Sequence, residues 1–63
     1  MDEFERAARE NLECHIGDVC DGDTDLEVIR DEAWTLAFDG AVNAGAPHEE
    51  ACRVAWNVVE ELY

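Results

Sequence analysis

The chain has 63 residues, of which seventeen are Asp or Glu, four are Arg and none is Lys, giving a formal net charge of -13 at neutral pH. Like charges repel across a compact surface, so this excess adds nothing to folding; it points to a basic partner, bound cations or a very salty medium, and disfavours direct contact with nucleic acid or anionic lipid. The length fits one domain, spanning 1–63. No basic segment followed by an apolar stretch marks a signal peptide, and no apolar run approaches membrane-spanning length, so the expected location is the cytoplasm.

High charge favours disorder. Here it is countered by Phe4, Trp34, Phe38, Trp56 and Tyr63, which are spread along the chain among aliphatic residues at helical spacing. The apolar fraction, 48%, is rich in alanine. A monomer of this size is therefore expected to be only modestly stable. No stretch alternates apolar and polar residues as a strand requires, and the expected fold is an all-α three-helix bundle with helices over about 2–20, 25–44 and 47–62.

In the first helix, Phe4, Ala8, Leu12, His15, Ile16 and Val19 fall on one stripe, with Glu3, Glu10 and Glu13 toward the opposite side. Gly17 weakens the last turn. A break at Asp21-Gly22-Asp23 follows. Thr24-Asp25-Leu26-Glu27 then fits a capping box, with Thr24 as N-cap and Glu27 reaching back.

The second helix carries a stripe of mostly small residues, Leu26, Ile29, Ala33, Leu36, Ala37, Gly40 and Ala44, which lets another helix approach closely. Trp34, Phe38, Ala41 and Val42 widen the apolar surface, and this helix is expected to be central and most buried. In the next break Gly45 suits C′ and Pro47 the first helical position. In the third helix Ala51, Val54, Ala55, Val58, Val59 and Leu62 face inward, and Cys52, Trp56, Val59 and Tyr63 form a second apolar edge. The short connections imply antiparallel neighbours.

Residues three or four apart on a helix have side chains roughly 5–6 Å from one another. Rows such as Glu3, Glu10 and Glu13, or Asp31, Glu32 and Asp39, therefore present negative charge at a spacing comparable with a nucleic-acid backbone. Such rows suit a groove lined by lysine and arginine. They also suit plain hydration in molar salt.

The segment from Asp21 to Glu32 places acids at positions 1, 3, 5 and 12 of an EF-hand-like loop, but position 6, which needs glycine for the sharp turn, is Leu26. The same residues read as an ordinary helix start. Cys14, His15, Cys20, His48 and Cys52 could be gathered around zinc if the first and third helices meet, His48 and Cys52 being four apart on one helix. No Cys-x-x-Cys pair is present, and small buried thiols are the default for these three cysteines, whose odd number argues against a disulfide framework. No catalytic residue, metal site or cofactor is assigned. Cys52, Trp56 and Tyr63 either pack over the second helix near Trp34 or Phe38, or form a homodimer seam or a contact with a partner.

A short, lysine-free helical chain with acidic rows such as Asp31-Glu32 and Glu60-Glu61 resembles the small acidic inhibitors encoded by phages, including anti-CRISPR and anti-restriction proteins, several of which mimic DNA. The resemblance covers the whole chain and rests on size, charge and helicity. It implies a partner with a DNA-binding surface, a CRISPR effector subunit or a nuclease, blocked by occlusion without catalysis. The expected contact face is the acidic face of the first two helices and their connection: Glu3, Glu10, Glu13, Asp18, Asp21, Asp23, Asp25, Asp31, Glu32 and Asp39. The alternatives are a halophile's helical domain and a small calcium- or zinc-binding protein.

Overall fold

Helices α1 (Glu3–Val19), α2 (Leu26–Asn43) and α3 (His48–Leu62) pack against one another as a small all-α three-helix bundle. The computed structural model describes residues 3–19 and 25–62, with side chains placed throughout except at 18 and 19. The body measures 34 × 18 × 17 Å. Each helix opens on acids that favour the positive end of its dipole: Glu3 and Glu5, Glu27, and Glu49 and Glu50. No helix carries a basic residue in its last turn.

Between α2 and α3 the chain reverses through a Schellman turn. The Ala46 N–H donates to the Ala41 carbonyl at 3.0 Å and the Gly45 N–H to the Val42 carbonyl at 2.9 Å. Gly45 has φ +104°, a left-handed conformation that costs glycine little, and it is the C′ residue that the sequence suggests. Pro47 sits just ahead of α3 rather than at its first position: His48 is the first helical residue, and the Pro47 carbonyl accepts the first bond, from Ala51 N–H, at 2.8 Å. At the other end of α2 the cap is Asp25, with φ -64° and ψ 147° and no capping hydrogen bond from its side chain. The N-cap is therefore one residue after the expected one, Thr24, which lies outside the described residues.

The buried core is Ala8 and Leu12 of α1, Ala33, Ala37 and Ala41 of α2, Ala46, and Ala51, Val54, Ala55, Val58 and Val59 of α3. α2 touches both neighbours most extensively, which makes it central. Its buried face is made only of alanine and glycine, and the larger fully buried side chains, Leu12, Val54, Val58 and Val59, belong to the helices around it. Leucine and valine from the flanking helices thus fill the space that small residues leave, as dense packing demands.

The closest approach is at Gly40. A Cβ built there would lie 2.7 Å from the Ala7 carbonyl oxygen and 2.8 Å from both the Ala8 Cα and the Asn11 Cβ. One turn earlier, the Asn11 side-chain amide donates to the Leu36 carbonyl at 2.7 Å. These contacts run in opposite directions along the two chains, so α1 and α2 are antiparallel. Phe38 meets His48 and Trp34 meets Trp56, which fixes α2 and α3 as antiparallel as well.

Five expected core or thiol positions are corrected. His15 is exposed, because the buried line through Ala8 and Leu12 continues to Ile16 and leaves His15 to one side. Leu26 is 63% exposed and Leu62 41%. They are the first residue of α2 and the last of α3, at the end of the bundle where no further helical turn among the described residues packs over them. Cys14 is an exposed free thiol and Cys52 a half-buried one, so neither is a core residue; Cys20 lies outside the described residues.

Candidate interaction surface

The carboxylates are turned outward by the same periodicity that buries the alanines. Glu3, Glu10, Glu13, Asp25, Asp31, Glu32 and Asp39 are all exposed. The side chain of Asp18, together with Asp21 and Asp23, falls outside what the structure describes. Sequence reasoning confined the acidic face to α1, α2 and their connection. The structure adds Glu27 near the start of α2, and Glu49, Glu60 and Glu61 on α3, all exposed. Acids therefore cover the outward side of all three helices.

Few of them are neutralised within the fold. Among the described residues, ion pairs to arginine involve only Glu10, 3.3 Å from Arg6, and Glu61, bound by Arg9. The Arg9–Glu61 contact joins α1 to α3. The bond and charge of Glu61 raise the Arg9 guanidinium above its ordinary range, so it stays charged at every ordinary pH. The described carboxylates outnumber the four arginines by nine over the 34 Å length, roughly one net negative charge per 4 Å, somewhat sparser than the ~3.4 Å of one nucleic-acid strand.

One stretch of surface is different. Trp34, Trp56 and Val59 form the apolar part of an open groove between α2 and α3, with Glu27, Arg30, Asp31 and Thr35 along it. Trp34 stacks on Phe38 with ring centres 5.2 Å apart and meets Trp56 at 6.0 Å, tilted by 60°. Phe38 in turn meets the His48 ring edge-on at 5.3 Å. The expectation that Trp56 packs near Trp34 holds, yet Trp56 remains 54% exposed. Tyr63, the third member of the expected seam, lies outside the described residues. Trp34 Nε1 is buried and finds no acceptor among the described residues.

The candidate metal ligands are only partly assembled. His48 Nε2 lies 3.8 Å from Cys52 Sγ, one turn apart on α3. Among the described residues no group of three or more His, Cys, Asp or Glu side chains is placed to hold a metal ion. Of the acidic segment Asp21–Glu32 weighed for calcium, residues 21–24 lie outside the described residues, and Leu26 to Glu32 form the start of α2. No helix among the described residues is long and apolar enough to cross a membrane. Comparison with protein-family models, curated proteins and solved structures gave no match.

Sequence reasoning missed two features. Asn11 carried a signal, a polar residue at helical spacing from Ala7 and Ala8 on the edge of the apolar stripe. The groove carried a weaker one, two tryptophans on helices that a short turn makes neighbours.

Proposed function

We propose that this chain is a non-enzymatic acidic binding protein of the cytoplasm that occupies the basic, nucleic-acid-binding surface of another protein, a CRISPR effector or a nuclease, and blocks it by occlusion. The observation that carries this reading is the outward set of exposed carboxylates on all three helices, of which only Glu10 and Glu61 are paired with arginine among the described residues. Acids three or four apart on a helix stand roughly 5–6 Å from one another, so a groove built for phosphates can engage several at once. Association would be fast, steered and weakened by salt. The test is binding to a basic nucleic-acid enzyme with duplex DNA as competitor; binding that DNA does not displace refutes mimicry.

A second reading is favoured by a separate observation. Among the described residues, seven of the eleven buried apolar residues are alanine, a thin core beneath an acidic coat. A domain adapted to molar salt has this combination, with the acids serving hydration. Circular dichroism separates the two. A nucleic-acid mimic is helical in dilute buffer, whereas a salt-adapted domain loses helix there and regains it in molar salt.

A further inference from the structure

We infer that the groove between α2 and α3 is the anchor point for a basic amphipathic helix of a protein partner, with an apolar side chain of that helix seated against Trp56 and its arginines or lysines facing the acids alongside. This rests on the acidic-binding reading and names what charge alone leaves unspecified, the place where affinity becomes specific.

Three observations converge on it. Trp56 is 54% exposed, and its ring meets Trp34, which stacks on Phe38. A half-exposed tryptophan backed by other aromatics is the kind of residue that dominates binding energy at interfaces. The open groove offers about 740 Å³, lined on its apolar side by Trp34, Trp56 and Val59, and Glu27 and Asp31 outnumber Arg30 along it. A guanidinium passing over the exposed Trp56 face would gain a cation–π contact as well as the attraction of the carboxylates.

Charge also decides against the obvious rival, a second copy of the chain. A pair of bodies each carrying -13 would bring two acidic coats together, and like charges facing one another across an interface oppose association. A basic helix meets no such opposition. An extended anionic ligand gains nothing from the tryptophans that offsets the repulsion.

The test uses three Trp-free helical peptides of equal length: one with an arginine face and a leucine face, one with the leucines replaced by alanine, and one with the arginines replaced by glutamate. Binding is read at about 0.15 M salt from labelled-peptide anisotropy and from the fluorescence of Trp34 and Trp56. The arginine–leucine peptide should bind at least about tenfold tighter than its alanine counterpart, and Trp56→Ala should erase that difference while Trp56→Phe keeps most of it. The glutamate peptide should not bind. If the two arginine peptides bind equally and Trp56→Ala changes neither, the groove is not the anchor, although the acidic-binding reading stands. If neither arginine peptide binds, both readings fall. A dimer in sedimentation that Trp56→Ala dissociates would assign the groove to a second copy and overturn the proposal.

Discussion

The Asn11 side-chain amide reaches from α1 to the backbone carbonyl of Leu36 on α2, 2.7 Å away, one turn from the point where Gly40 lies against the α1 backbone. The pair acts as a register pin. The Leu36 carbonyl is otherwise committed only to its own helix, and a second donor from α1 sets how far along α2 that helix can slide. A backbone acceptor shared in this way is available only because glycine and alanine let the helices come so close.

Gly40 and Gly17 give opposite predictions for the same substitution. Gly→Ala in a helix interior ordinarily stabilises by about 0.5–1 kcal/mol. At Gly17 nothing lies within 4 Å of the added carbon, so Gly17→Ala should raise the melting temperature. At Gly40 the added carbon meets backbone atoms at 2.7 and 2.8 Å, which cannot swing aside as a side chain can. Overpacking of this kind costs about 1–3 kcal/mol, enough to reverse the sign. Thermal unfolding of the two variants side by side checks it.

Asn11→Ala removes the pin without creating a clash. It should cost about 1 kcal/mol, the ordinary net value of a hydrogen bond, because the Leu36 carbonyl keeps its place in the α2 ladder. Urea unfolding measures the loss. A change within error would mean that the bond contributes nothing to stability.

The helix ends predict a gain. Glu60 and Glu61 stand in the last turn of α3, where the dipole favours cations, and only Glu61 has an arginine partner among the described residues. Glu60→Lys should therefore stabilise by about 0.3–1 kcal/mol in dilute buffer, with the gain fading as salt is added. Melting curves across a salt series show both the sign and the screening.

The Arg9–Glu61 pair yields a pH prediction. Folding raises the Arg9 guanidinium, so its contribution is fully present below the ordinary arginine value and is lost only as pH rises through the still higher folded value. Titration of Arg9 itself should thus leave stability flat across the neutral range. Arg9→Gln should lower the melting temperature slightly in dilute buffer and not in molar salt, since its partner is largely solvent-exposed.

Much of this bundle was legible in the sequence for a physical reason. Periodicity is local, so the stripes through Ala33, Ala37 and Gly40 and through Ala51, Val54 and Val58 announced both the helices and their buried faces. Gly45 announced the Schellman turn, because few other residues accept its φ. Exposure at the bundle end was not legible: Leu26 and Leu62 obey the same periodicity, and whether a neighbour covers them depends on where the other helices stop. The N-cap is Asp25 rather than Thr24, and since its side chain makes no capping hydrogen bond, capping preference alone does not mark the position. The outward direction of the acids was readable helix by helix. The packing of Trp56 near Trp34 was readable too; that Trp56 stays 54% exposed there was not, because its exposure depends on how far α3 stands off α2.

On the function proposed above, this acidic surface takes the place of nucleic acid on a basic protein. The anisotropy of a labelled duplex bound to a basic nuclease or CRISPR effector, followed as this chain is added in dilute salt, tests that substitution. Mimicry requires that the duplex be displaced, with an apparent affinity that falls as salt rises. A duplex that stays bound while the added chain is fully helical would contradict it.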